Sequence, residues 1–260
     1  MVKTIIADEY TRVTKELLDS KQPSRIVNAC RGRDHIDYEE CEKRGIPVVE
    51  IDYSPEDSVA DHALAMLLQL TVLNPKHAGG DGQELNGKKA LIIGAGRIGQ
   101  RIHERLYGFR IQTGYYDPYN IDYPQFDGND HFDDLLEGLA WCDYCFLACP
   151  LTESNKGMLG YQELLKLRGK VLINIARPEL VDSYHLHNFT SPYYQENRSG
   201  ENNIRVGWDF EGETHAADWK HWEGLLHAQT NGYAVMTKHN AWRTTEARKR
   251  REKAVEEASK

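Results

Sequence analysis

Short apolar runs recur along this chain, and most are continuous rather than alternating. KTIIA (3–7), RIVNAC (25–30), PVVEI (47–51), KALIIG (89–94), IQTGYY (111–116), DYCFLAC (143–149), KVLINI (170–175), IRVGWD (204–209) and YAVMT (233–237) have the length of strands and many of their residues are β-branched or aromatic. A strand that is apolar on both faces is buried on both, as in parallel sheets. Between the runs the spacing turns helical, at 57–73, 97–107, 133–139, 161–167, 218–227 and 244–258. In the first of these, DSVADHALAMLLQLTVL, a broad apolar stripe follows Asp57, which is placed to cap the helix. Strand–helix alternation predicts βαβ units, and so an α/β fold with a doubly wound parallel sheet. Two stretches interrupt the rhythm. Residues 74–87, NPKHAGGDGQELNG, read as a loop between structural units, and NFTSPYYQENRSGENN (188–203) reads as a surface excursion.

The turn after the fourth run carries the first candidate chemistry. KALIIGAGRIGQRIHERL sets Gly94, Gly96 and Gly99 in GxGxxG spacing between a predicted strand and a predicted helix. Gly94 permits the tight turn, Gly96 lets the backbone approach a pyrophosphate, and Gly99 lets the helix pack close to the sheet. Arg97 and Ile98 open the helix, so their amides would face the phosphates. Asp117 follows Gly99 by 18 residues, close to the separation of about 20 at which an acid meets the adenosine ribose. A carboxylate there accepts both ribose hydroxyls and repels a 2′-phosphate, which points to NAD rather than NADP. The competing reading is a glycine-rich turn beside an ordinary surface aspartate.

Composition narrows the function classes. A chain of 260 residues suggests one large domain or two modest ones. The formal net charge of -8 argues against a nucleic acid partner. The one basic run, ARKRREK, is interleaved with Glu246, Glu252, Glu256 and Glu257 and reads as a solvated helix face. The N-terminal stretch MVKTIIADEY is too polar for a signal peptide, and no window approaches the roughly 20 apolar residues of a membrane span. No membrane partner is expected. Five cysteines, an odd number, read as reduced thiols in a cytoplasmic protein. Cys142 and Cys145 form a CxxC inside a predicted strand with no second pair or His pair nearby, so no metal site is expected.

The second half of the chain places polar groups at strand ends, where an open α/β sheet binds its ligand. Arg177 ends the run VLINIA, and a guanidinium there can grip a carboxylate bidentately. Pro178 follows it and favours extended dihedrals at Arg177. His239 follows YAVMT and can act as an acid/base. Glu213 lies just beyond the strand 204–209, and contact with His239 would raise the imidazole pKa and fix its orientation. Each alone reads equally as a solvated loop residue.

Seven segments in order resemble the NAD-dependent D-2-hydroxyacid dehydrogenase family. GRDHIDYEECEKRGIPVV is similar to its G-x-D-x-I-D and R-G-I-x-V, SVADHALAMLL to its V-A-E-H helix, and IIGAGRIGQ to its cofactor loop. CPLTESNKGMLG is similar to C-P-L-T-x-x-T, with Asn155 where Thr is usual. INIARPELVD, WDFEGE and KHNAWRTTEA are similar to I-N-x-A-R-G-x-L-V-D, D-V-F-E-x-E and P-H-x-A-x-x-T-x-E-A. Pro178 stands where that pattern has glycine, and Trp208 stands where it has aspartate if Glu211 and Glu213 align with its acids. Aligning Asp209 instead puts Glu213 one residue out of register.

The resemblance implies an NAD-dependent oxidoreductase of 2-hydroxy and 2-oxo acids. It assigns Arg177 to the substrate, Glu213 to the carboxylate partner and His239 to the acid/base role. It adds backbone amides at Arg31 and Gly32 for the substrate carboxylate, and cofactor contacts at Cys149, Pro150, Thr152 and Ala176. The nearby Arg31 and Arg33 would recognise a second acidic group or lie on the surface. The fold implied is a Rossmann-type NAD-binding domain over residues 57–241. Beside it stands a reduced flavodoxin-like substrate-binding domain over 1–56 with part of 242–260, shortened at both termini relative to the family. The partners implied are a small acidic substrate and a second copy, through helix 57–73 and its loop. A second class stays open: an NAD(H)-responsive binding protein, like the family's corepressors, or an inactive remnant.

Overall fold

All nine apolar runs form strands. The computed structural model describes residues 3–8, 10–30, 32–73, 81–119, 130–190, 203–210 and 222–259. Two compact units result, residues 1–55 with 242–260 and residues 56–241.

In the smaller unit β1 (Thr4–Ala7), β2 (Arg25–Asn28) and β3 (Val48–Glu50) make a parallel sheet in the order β1-β2-β3. The crossovers carry two helices that periodicity did not reveal, α1 (Lys15–Lys21) and α2 (Tyr38–Lys43). Their segments, KELLDSK and YEECEK, are mostly polar, and caps define them instead. Thr14 Oγ1 accepts the Leu17 amide at 3.4 Å, and Asp37 Oδ1 accepts the Glu40 amide at 2.9 Å. Alternate residues of β2 face opposite ways. Ile26 joins Ala7, Val13, Leu18 and Cys41 on one side. Val27 joins Ile51, Tyr53 and residues Ala254, Val255 and Ala258 of α9 (Thr245–Ser259) on the other. The basic run in α9 is therefore more than a solvated face. Arg250 Nε donates to the Ser54 carbonyl at 2.8 Å, and the Arg251 guanidinium lies 4.3 Å from the Trp242 ring centre.

The larger unit holds β4 (Lys89–Ile93), β5 (Gln112–Tyr116), β6 (Asp130–His131), β7 (Tyr144–Leu147), β8 (Val171–Asn174), β9 (Arg205–Trp208) and β10 (Ala234–Met236). They form one sheet, ordered β10-β9-β8-β7-β4-β5-β6, and every pairing is parallel. The two-residue β6 has no signature in the sequence. From β4 the chain runs outward to β6, then returns to lay β7 on the other side of β4, with Ile93 opposite Leu147. That reversal opens a crevice at the carboxyl ends of β4 and β7.

The helices of this unit are α3 (Glu56–Thr71), α4 (Arg97–Gly108), α5 (Leu135–Trp141), α6 (Tyr161–Lys166), α7 (Ser183–Thr190) and α8 (Trp222–Thr230). Helix α3 packs on α4 and against β8, β9 and β10. It begins at Glu56, so Asp57 lies in its first turn instead of capping it. Asp57 serves α4: Arg105 reaches its Oδ1 at 2.9 Å and Asp61 Oδ1 at 2.6 Å. Helix α7 occupies the start of the expected excursion at 188–203, of which 191–202 lie outside the described residues. Cys142 and Cys145 belong to the core of this unit, and burial pushes the Cys142 thiol up to about 12.

Candidate active site

The crevice at the β4–β7 reversal is shaped first by what glycine leaves out. Gly94 has φ +96°, and a Cβ there would fall 2.7 Å from the Cys149 amide nitrogen. At Gly99 a Cβ would fall 2.1 Å from the Gly94 carbonyl oxygen, so only glycine lets α4 start this close to the strand. Gly96 caps α4 without a side-chain bond and faces open space. The amides of Arg97 and Ile98 follow it, and the Arg97 side chain turns away to Glu56 Oε1 at 2.8 Å.

Asp117 closes the far side. Its Oδ2 accepts the Ala95 amide at 3.0 Å and its Oδ1 the Tyr119 amide at 3.1 Å. Each oxygen retains a lone pair, so two hydroxyls can still be accepted. A cavity of about 420 Å³ lies here, lined by Gly94, Gly96, Asp117, Leu135, Cys149 and Pro150 among others. Thr152 stands on its rim beside Asn155. Asn155 ties the loop together: its Oδ1 accepts the Thr152 amide at 2.7 Å and its Nδ2 donates to the Pro150 carbonyl at 2.8 Å. Burial pushes the Cys149 thiol up to about 11, leaving it neutral and apolar toward the cavity. Open backbone, a helix N-terminus and a pinned carboxylate fit a dinucleotide.

The strand ends beyond β7 place the remaining side chains. Arg177 follows β8 and is half-buried. Its φ of −146° and ψ of 141° are extended, the conformation that Pro178 imposes. Its carbonyl accepts Asn174 Nδ2 at 2.8 Å, while Asn174 Oδ1 accepts the Ala176 amide at 2.9 Å. The lone polar residue of that apolar strand thus folds the segment that carries the arginine. Arg177 Nη1 donates to the Ala176 carbonyl at 2.8 Å. His239 follows β10 with a left-handed φ of +49°, and its ring lies 5.0 Å from that of Phe210. Glu213 and Arg31 lie outside the described residues.

Three residues of this neighbourhood, Asp209, Thr237 and His62, were given no role from the sequence. Asp209, directly after β9, is 1% exposed. Its carboxylate accepts the Thr237 hydroxyl at 2.5 Å and the amides of Asn240 and Ala241 at 3.0 Å each. Burial raises its pKa, and those three hydrogen bonds together with His62 oppose the rise. His62 Nε2, on α3, is 3.0 Å from Thr237 Oγ1 and 3.6 Å from Asp209 Oδ1. The one hint in the sequence was an aspartate ending an apolar run.

In the smaller unit, the Gly32 carbonyl accepts Asn28 Nδ2 at 3.1 Å. Arg33 stacks 4.4 Å from the Tyr38 ring centre and lies 3.4 Å from Glu50 Oε1. The guanidinium is therefore matched by a carboxylate of its own unit.

A parallel sheet reversed beside a glycine turn, with an acid at the end of the next strand, defines a Rossmann-type dinucleotide-binding domain. Comparison with known proteins narrows the class. Residues 65–191 match the family described as D-isomer specific 2-hydroxyacid dehydrogenase, NAD binding domain. Residues 65–191 are thus an NAD-binding domain of that family, and the cofactor of the domain is NAD. A glyoxylate reductase of Pyrococcus horikoshii is 35% identical over 196 residues, covering 66% of this chain and 58% of the relative. A formate dehydrogenase of Chaetomium thermophilum is 33% identical, covering 64% of this chain and 50% of the relative. The chain thus matches little more than half the length of these relatives. Among solved structures, D-lactate dehydrogenase from Aquifex aeolicus, complexed with NAD and lactic acid, superposes with a TM-score of 0.80 at 25% identity, covering 98% of this chain and 81% of that one.

Proposed function

We propose that the protein is an NAD-dependent oxidoreductase of a small 2-hydroxy or 2-oxo acid. One observation carries the reading. Arg177 and His239 leave the carboxyl ends of β8 and β10 in the same sheet whose β4 turn forms the NAD cradle.

Bound NADH supplies the hydride. Arg177 holds the substrate carboxylate and stabilises negative charge developing on the carbonyl oxygen. Protonated His239 gives its proton to that oxygen, and in the oxidative direction neutral His239 takes the hydroxyl proton. Glu213 keeps the role that the resemblance gives it, as the carboxylate that supports the imidazolium. Substrate contacts at the backbone amides of Arg31 and Gly32 are carried over from the resemblance alone. Asp117 favours NAD over NADP, because a 2′-phosphate would meet a carboxylate already fixed by two amides. The partner we infer is a second copy, docked through α3 and the loop that follows. No helix among the described residues is long and apolar enough to cross a membrane, and the five free thiols suit a reducing cytoplasm.

The test is NADH oxidation with a panel of 2-oxo acids that includes glyoxylate, pyruvate, and dicarboxylic and phosphorylated acids. We expect turnover with at least one, and its loss in Arg177→Ala. Tight NADH binding without turnover on any acid would replace this reading with an NAD(H)-responsive binding protein.

A further inference from the structure

Around Asp209 the hydrogen bonds have a direction. An ionised carboxylate only accepts, and a hydroxyl has a single proton to give. Thr237 therefore gives its proton to Asp209 Oδ1, at 2.5 Å. Its oxygen then turns a lone pair to His62 Nε2, at 3.0 Å, so that nitrogen must carry a hydrogen. The chain runs from His62 through Thr237 to Asp209. From the other side Asp209 receives the amides of Asn240 and Ala241, the two residues after His239. His239 is left-handed, at φ +49°, although it carries a side chain. A residue of that kind stays left-handed only where its surroundings hold it.

We propose that His62 and Thr237 are positioning residues for His239. They complete the donor set on Asp209, and Asp209 fixes through two amides the turn that presents the imidazole. The proposal rests on reading His239 as the acid/base. Without the hydroxyl or the imidazole donor, the buried carboxylate loses part of its compensation. Its grip on Asn240 and Ala241 weakens, and the turn relaxes towards negative φ.

Paired substitutions separate donation from packing. Thr237→Val keeps the shape and deletes the hydroxyl, whereas Thr237→Ser keeps it. His62→Leu deletes the donor on α3, whereas His62→Gln supplies another. Two readouts apply to all four. The first is the NMR signal of the His239 imidazole in isotope-labelled protein, assigned by its disappearance in His239→Gln, and it needs no substrate. The second is the division of the effect between kcat and KM with whichever 2-oxo acid is turned over. Thr237→Val and His62→Leu should shift or broaden the His239 signal and lower kcat about tenfold, the effect of losing one hydrogen bond to a charged group, with KM for NADH unchanged. Thr237→Ser and His62→Gln should restore both. Wild-type His239 signals in Thr237→Val and His62→Leu would overturn the proposal, as would no recovery in the conservative variants. If the wild type turns over no acid at all, the proposed activity fails, and the NMR comparison still decides the role of the relay.

Discussion

Two turns leave strand ends of the larger unit through left-handed backbone, and they use opposite residues. After β4 the residue is Gly94, at φ +96°; after β10 it is His239, at φ +49°. Glycine adopts this region freely, whereas a residue with a side chain pays roughly 1–2 kcal/mol for it. The first turn is defined by a missing Cβ, since any addition would meet the Cys149 amide. The second keeps its side chain despite the cost and is secured by Asp209 through Asn240 and Ala241. One turn brings backbone close to a ligand, and the other delivers an imidazole. Gln22 and Arg110 are left-handed too, where helices end, so what marks the second turn is the buried carboxylate that braces it.

The strongest challenge to this contrast is His239→Ala. We expect turnover to drop about 10²–10⁴-fold, the range for loss of a general acid/base, while NADH affinity by fluorescence titration stays near wild type. Unchanged turnover would reduce His239 to a loop residue. Gly94→Ala should act in the reverse sense, on binding and stability. Overpacking at 2.7 Å from backbone should cost about 1–3 kcal/mol of stability in urea unfolding and weaken NADH binding at least as much. A variant that melts and binds like the wild type would show that the cradle can move aside. The smallest effect compares two substitutions at one site. Asparagine tolerates left-handed backbone better than alanine, so His239→Asn should be more stable than His239→Ala by about 0.5 kcal/mol. Equal stabilities would mean that the turn relaxes once the imidazole is gone.

How much was legible in the sequence depended on how local the cause was. Continuous apolar runs reported all nine longer strands, because a strand buried on two faces shows in its own residues. The glycine turn was legible because its spacing lies within six residues, and the extended Arg177 followed from Pro178 alone. Helices α1, α2 and α7 escaped because few apolar residues mark their segments, KELLDSK, YEECEK and SYHLHNFT. The Asp57 cap was misplaced because its carboxylate answers Arg105, a partner 48 positions away. Asp209 was harder still. In WDFEGE it looked like a register ambiguity. Only the fold brings Thr237 and His62 to it, and those two are themselves 175 positions apart.

The order of the seven strands also sets a schedule for synthesis. β4 pairs with β5 almost as soon as both leave the ribosome, but its other neighbour is β7, at Tyr144–Leu147. Until β7 arrives, β4, a five-residue strand whose last four residues are buried in the folded protein, has one long edge without a partner, and such edges invite pairing with other chains. The reversal that opens the nucleotide crevice is thus also the latest joint to close around β4. A pause in translation between β6 and β7 would lengthen the interval in which the nascent chain is most prone to aggregate.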